Sequence, residues 1–415
     1  MNTSLKNAGV LSLSLIISVW LGDLILRKVL SIPREGYAAW AAYPGSTLEF
    51  ISRPDGFRAT HRYNRYGFRG EDFTPIPERC ARIAAVGDSY AEGVGTEQGF
   101  AWPEQLNAIL VKKFDVEVLN LGDSGASPSD YSEIIRQIAI ALQPTHIIVS
   151  MNGSDFRNGP KLAPDLSIRE RLVNPFYERG SAWKRGLRAS LPALVFLAER
   201  AMGRWPVQEG RFFTAYSDKL FDTGVKHLVM IDGIPHSDAR EIARKRLAEF
   251  ELGILDAARD GEFNPHAIPM ALALPFWIYR TSTSDMLISA DELRVSTERW
   301  LRWYAAVTSK RKIKAWLVYF PHPGHVIDAP WGPYKEKFLN QRPNGIADTS
   351  LQKMLAELCR ETGVGFVDAS IPLRERGTTD LYLRFDSHPK APAHRIVAEA
   401  IAQTITLENC ASTEK

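Results

Sequence analysis

The stretch RIAAVGDSYAEG (residues 82–93) reads as a buried strand that ends in a sharp turn. RIAAV at 82–86 has strand length, and Gly87-Asp88-Ser89 stops it with turn and helix-start chemistry. The pattern repeats downstream. Residues 100–114 carry Trp102, Leu106, Leu110 and Phe114 on one helical face, and VEVLNL (116–121) is a second strand. Residues 129–142 form a capped helix with Ile134, Ile135, Ile138 and Leu142 inward, and 145–151 a third strand. Three βα units within about 70 residues predict a doubly wound α/β fold with a parallel sheet.

Regularity lapses from Phe156 for about 130 residues. This part holds helical pieces at 183–202 and 238–260, a strand-like run at 227–231 and an apolar segment at 268–279. The βα pattern resumes with a helix at 290–309, a strand at 315–320, a helix at 351–362, a strand at 365–367 and a last helix at 393–405. The expected organisation is an anchor (1–29), a loop-rich lead with many prolines (30–80), a first part of the α/β domain (81–159), a large, mostly helical insertion (160–290), a second part of the α/β domain (291–407) and a tail (408–415). The insertion falls between the third and fourth strands and is expected to cover the site and set substrate choice.

Composition narrows the partners. Lys plus Arg number 51 against 48 Asp plus Glu, and the longest basic cluster is the short run at 310–314, so nucleic acid is not an expected partner. Cys80, Cys359 and Cys410 are far apart and make no CxxC pair, which argues against a zinc site and against a disulfide framework while leaving room for one bridge. The mid-chain Trp183, Trp205, Trp277, Trp300 and Trp303 suit either a ring-lined groove or ordinary burial. At the start, residues 8–26 (AGVLSLSLIISVWLGDLIL) are apolar apart from three Ser and Asp23, and no small-x-small cleavage site follows. The run is long enough to span a bilayer, with a buried helix as the alternative because Asp23 is costly in hydrocarbon. Lys6 and the α-amino group balance Arg27, Lys28 and Arg34, so flanking charge does not set the orientation. The expectation is a single-pass membrane protein with its catalytic part outside the cytoplasm.

Ligands of open α/β sheets bind at the carboxyl ends of the strands. Past the first three strands stand Gly87-Asp88-Ser89, Asn120-Leu121-Gly122 and Ser150-Met151-Asn152, and near the C-terminus Asp386-Ser387-His388. These residue types make an acyl-transfer site. A serine hydroxyl is a weak nucleophile until an imidazole takes its proton, and that imidazole needs a carboxylate on its other nitrogen. Ser89, His388 and Asp386 are the candidates, with the backbone N–H groups of Ser89 and Gly122 and the Asn152 amide as candidate oxyanion donors. Neither a metal nor an organic cofactor is required.

The chain here resembles the SGNH/GDSL hydrolases. VGDSYAEG (86–93), NLGDSG (120–125), SMNGSD (150–155) and DSHP (386–389) are similar to that family's four blocks in order. YNRYGFRGEDF (63–73) is similar to the N-x-x-G-F-R stretch that precedes the first block in many anchored bacterial members. The resemblance covers roughly 60–155 and 295–405 and implies a three-layer α/β/α sandwich of flavodoxin-like type. It also implies a carboxylic ester hydrolase acting on an acylated small molecule or glycan. Two departures stand out. Ser150 replaces the usual Gly of the third block, and Asp386 lies two rather than three residues before His388, with Asp380 as the fallback acid. An O-acyltransferase would use the same residues, and a non-catalytic glycan-binding or envelope-assembly protein could keep the scaffold.

Other motifs have plainer readings. Gly122-Asp123-Ser124-Gly125 matches a trypsin-like GDSG, with His61 as base, but it sits between a strand and a helix rather than in an all-β fold. His322 and His325 lack an evident third metal ligand. His236-Ser237-Asp238 reads as a helix cap.

Overall fold

A computed structural model describes residues 14–26, 45–64, 66–74, 76–162, 190–191, 193–194, 197–198, 209–212, 216–232, 235–248, 252–272, 288–326, 348–377, 379–407 and 410. The chain divides into two compact units: Met1–Ser46 with Arg62–Asp72 and Pro164–Gln208, and Thr47–His61 with Phe73–Ala163 and Glu209–Lys415.

The second unit contains five parallel strands: β3 (Ala81–Gly87), β4 (Val116–Gly122), β5 (His146–Met151), β7 (Lys314–Tyr319) and β8 (Gly365–Asp368). Their order is β4-β3-β5-β7-β8. Every residue of β3 and β5 is buried, which requires cover on both faces and explains why these strands read as unbroken apolar runs. Ile83, Ala85, Ile148, Val318 and Val367 share one core with Trp102, Leu106 and Leu110 of Trp102–Leu110 and with Val397 and Ile401 of Ala391–Thr404. Helices Ala290–Ser309 and Ser350–Thr362 bury Leu301, Tyr304, Leu355 and Leu358 outside that core, and the Tyr304 hydroxyl donates to the Ile147 carbonyl at 2.7 Å. The strand order reverses between β3 and β5, the switch point at whose carboxyl end open α/β sheets bind their ligands.

Local chemistry sets the element ends. Ser289 and Glu292 form a reciprocal capping box, so the helix begins at Ala290. The helix expected at 129–142 starts at Pro128, and Asp130 accepts the Ser127 N–H at 2.9 Å. It then widens into a π turn at Ile135–Ala139, tightens at Ile140–Leu142 and stops at Gln143 in the left-handed region.

Several expectations are corrected. The lead segment 30–80 is not only loop: β1 (Thr47–Ser52) and β2 (Phe57–Arg62) join β6 (Glu209–Arg211), from the insertion, in a second sheet of order β2-β1-β6. Pairing between β1 and β6, about 160 residues apart, leaves no local trace. The run at 227–231 is helical, inside Asp218–Asp232, because Val225 and Leu228 pack against Ala239 and Ala243 of the next helix. Residues 238–260 contain two helices, His236–Ala248 and Leu252–Arg259, instead of one. Most of 183–202 and of 268–279 lies outside the described residues, as do Trp183, Trp205 and Trp277; Trp300 is buried.

Among the described residues no helix is long and apolar enough to cross a membrane. Residues 14–26 are helical, about 20 Å at 1.5 Å per residue against a hydrocarbon core near 30 Å, and residues 8–13 of the expected span lie outside the described residues. Within this first unit Asp23 is fully buried and accepts the Leu194 N–H at 2.9 Å, whereas Leu15, Ile16 and Ile25 are about two-thirds exposed. The Asn64 side-chain oxygen accepts the N–H groups of Tyr66 and Phe68 at 2.9 and 3.1 Å, so the N-x-x-G-F-R stretch is a loop wound around one amide. In the second unit a disulfide joins Cys80 to Cys410, with Cα atoms 5.6 Å apart, tying the start of β3 to the chain's end.

Candidate active site

All the site residues belong to the second unit. β3 delivers Gly87-Asp88-Ser89, and Ser89 opens the short helix Ser89–Glu92. Asp88 caps that helix by accepting the Tyr90 N–H at 2.9 Å, which fixes where the Ser89 side chain leaves the backbone. Ser89 is half-buried, and its Oγ lies 2.9 Å from His388 Nε2. On the other side of the ring, Nδ1 meets Asp386 Oδ1. Three residues separated by up to 299 positions thus form one Ser–His–Asp chain.

The two-residue spacing of Asp386 and His388 has a backbone cause. Ser387 between them lies at φ 79°, and its N–H donates to the Leu383 carbonyl at 3.0 Å. The Leu383 N–H in turn donates to the His388 carbonyl at 2.8 Å. A left-handed residue folds the chain tightly enough for the carboxylate to turn back onto its neighbour's ring, at a cost of about 1 kcal/mol for a non-glycine residue. Asp380 is exposed in a separate turn.

The expected oxyanion donors differ in their commitments. Gly122 N–H donates to Asn120 Oδ1 at 3.0 Å, so this donor is already taken. Its lack of a side chain has another reason: a Cβ there would lie 2.1 Å from the Glu92 backbone nitrogen. The Asn152 amide donates to Asp88 Oδ2 at 2.7 Å, and its oxygen accepts the Ser154 N–H at 2.8 Å. One N–H of that amide is thus used in bridging the ends of β3 and β5, and an NH₂ group has a second. The Ser89 N–H, on the first turn of its helix, is one of the donors that a helix leaves unpaired.

Electrostatics follow from burial. Burial disfavours the His388 cation, but the charge and hydrogen bond of Asp386 outweigh it, with smaller help from Asp88 and Glu92, and the imidazole stands above its ordinary 6.5. Burial pushes Asp88 up to about 6 against the pull of the Tyr90 N–H, His388 and Asn152. Asp155, which accepts the Asn152 N–H and the Tyr131 hydroxyl, is held well above the carboxylate range by burial and by the charge of Asp88. His322, stacked on Tyr90 at 5.9 Å, is pushed down to about 3 by burial and by His388, so it is neutral wherever the site works.

Sequence reading missed two neighbours of the triad. Tyr90 packs its ring 5.9 Å from His388 and donates its hydroxyl to the Ser387 carbonyl at 3.2 Å; its place within the GDS block is the one signal it carried. Asp55, from the turn between β1 and β2, accepts the N–H groups of Phe385 and Asp386. The turn signal Arg53-Pro54-Asp55-Gly56 gives no hint of so distant a contact. His61, the base of the trypsin-like alternative, bonds the Thr96 carbonyl at 3.2 Å and stacks on Phe50. His325 Nδ1 bonds the Tyr319 hydroxyl at 2.6 Å.

No protein-family model matches this chain. No curated protein matches it either. Among solved structures it is similar to a lipolytic protein of the G-D-S-L family from Desulfitobacterium hafniense, at 10% identity and TM-score 0.32, over 78% of this chain and 99% of that one. It is also similar to the acetylxylan esterase Axe2 from Geobacillus stearothermophilus, at 12% identity and TM-score 0.35, over 80% and 96% of the two chains. A third likeness is to LAE5, an alpha/beta hydrolase enzyme from the metagenome of Lake Arreo, Spain, at 11% identity and TM-score 0.34, over 79% and 95%.

Proposed function

We propose that this chain is a serine esterase of the SGNH type that removes an O-acyl group by way of an acyl-enzyme on Ser89. The reading is carried by one observation, the Ser89–His388–Asp386 relay, with Ser89 Oγ 2.9 Å from His388 Nε2. In the first step the Ser89 proton passes to His388 Nε2 while Oγ bonds to the ester carbonyl carbon. The charge on the former carbonyl oxygen meets the Ser89 N–H and the second N–H of Asn152. Collapse breaks the ester C–O bond, and His388 returns the proton to the departing alcohol. Water then gives a proton to His388 and bonds to the acyl carbon, the acyl C–Oγ bond breaks, and His388 returns the proton to Ser89 Oγ as the acid leaves. Asp386 holds the imidazole in the tautomer with Nδ1 protonated.

The substrate class proposed is an acetylated envelope or extracellular glycan, with the second unit on the outer side of a membrane held by residues 1–29. Two observations support that location. Leu15, Ile16 and Ile25 turn apolar surface outward, and the Cys80–Cys410 bridge suits an oxidising compartment.

The test is Ser89→Ala in the full chain. Turnover of p-nitrophenyl acetate is expected to fall by at least ~1,000-fold with the thermal midpoint unchanged. A fluorophosphonate probe should label the wild-type protein at Ser89 by peptide mapping. Equal turnover by the variant, or labelling at another residue, overturns the assignment.

A further inference from the structure

Asp386 is oriented by unusually few contacts of its own. A carboxylate offers about four lone-pair positions. Here Oδ1 meets His388, and Oδ2, although buried, has no hydrogen-bond partner among the described residues. Its aim therefore has to come from its backbone. Beside the Ser387 turn and the Tyr90 hydroxyl on the Ser387 carbonyl, that backbone engages one further side chain: the Phe385 N–H donates to Asp55 Oδ1 at 2.9 Å and the Asp386 N–H to Asp55 Oδ2 at 3.3 Å.

Asp55 is itself well fixed. It closes the turn Arg53–Asp55, and Ser52 Oγ donates to its Oδ2 at 2.5 Å. The turn is pinned from the far side, where the Arg53 N–H donates to the Glu262 carbonyl at 2.8 Å and the guanidinium pairs with Glu262 and Asp260 at 2.8 and 3.1 Å. A chain of hydrogen bonds therefore runs from the insertion, through the β1–β2 turn, to the loop that carries both Asp386 and His388.

We propose that Asp55 is the positioning residue of the triad: its carboxylate clamps the backbone N–H groups of Phe385 and Asp386 and so points the Asp386 carboxylate at His388 Nδ1. The inference rests on the acyl-transfer reading of the site. Hydrogen bonds from N–H to a charged carboxylate are among the stronger ones, and a misplacement of about 1 Å in such a relay costs on the order of 100-fold in rate.

The experiment compares the full-length wild type with Asp55→Ala, Asp55→Asn, Asp386→Ala and the Asp55→Ala/Asp386→Ala double variant. Steady-state kinetics use p-nitrophenyl acetate, and proton NMR of histidine-labelled protein follows the downfield His388 Nδ1–H. Asp55→Ala is expected to lower kcat by roughly 10- to 100-fold with KM changed less than about threefold. The double variant should be no slower than Asp386→Ala, since a residue acting only through Asp386 has nothing left to lose. Both Asp55 variants should move the Nδ1–H resonance, Asp55→Asn the less, because it keeps one acceptor. An unchanged kcat, losses that multiply in the double variant, or an unmoved resonance would overturn the role. If Asp55→Ala does not fold, the near-isosteric Asp55→Asn makes the same comparison. Absence of ester turnover and of probe labelling in the wild type would sink the esterase reading, while the resonance would still report on Asp55.

Discussion

A histidine serves as general base only while neutral, and the environment of His388 works against neutrality. Burial alone would lower it, yet Asp386 raises it above 6.5. Because the folded value exceeds the unfolded one, the Asp386–His388 pair adds stability that is fully present below about pH 6.5 and is lost as pH rises through the folded value. In the proposed reaction the form that acts as base is thus the one that has given up this stabilisation. The acid limb of kcat/KM is accordingly expected to report an apparent pKa above 6.5. Asp386→Asn should move that limb to lower pH and reduce kcat by roughly 1,000- to 10,000-fold, as loss of the orienting carboxylate does in such triads. A pH–rate series on the two proteins checks both, and an acid limb at the same pH in each would count against Asp386 as the partner of His388.

Short elements, rather than whole helices, do the placing. The helix Ser89–Glu92 lies so close to the end of β4 that a Cβ on Gly122 would meet the Glu92 nitrogen at 2.1 Å and the Ala91 carbonyl carbon at 2.6 Å. Backbone cannot yield as a flexible side chain can. Gly122→Ala is therefore expected to destabilise the protein by about 1–3 kcal/mol or more and to displace Ser89 from His388. Thermal unfolding together with the rate of fluorophosphonate labelling measures the two effects. A variant with unchanged midpoint and unchanged labelling would mean that β4 and this helix are not packed as closely as described. The same geometry gives Gly122 a packing role in place of the oxyanion-donor role expected of it, its N–H being committed to Asn120.

Across the second unit, long-range links hold distant segments to the sheet. The Cys80–Cys410 bridge spans 330 positions and fastens the chain's end beside the start of β3, where the Asp115 N–H also donates to the Cys410 carbonyl at 2.9 Å. Removing a native disulfide costs typically about 2–4 kcal/mol. Cys410→Ser, or dithiothreitol, is expected to lower the thermal midpoint while ester turnover at 25 °C persists, because the bridge lies at the opposite ends of the strands from Ser89. Free-thiol titration under denaturing conditions should find one thiol, Cys359, in the oxidised protein and three after reduction. Three thiols without reductant would remove the bridge and with it one support for an oxidising location.

Local pattern was enough for the parallel sheet, the helix at 290–309 and the placing of the GDS, NLG and MN segments at strand ends. Period, capping and turn chemistry act over a few residues and leave a readable trace. The small sheet was illegible because β1 and β6 pair across about 160 positions, and the helix at 218–232 because its burial against a neighbouring helix overrides a strand-like run. Tertiary structure alone committed the Gly122 N–H to Asn120, joined Cys80 to Cys410 and brought Asp55 beneath the triad loop. Each of these depends on a distance between segments remote in the chain, set by how layers pack rather than by anything in the neighbouring residues.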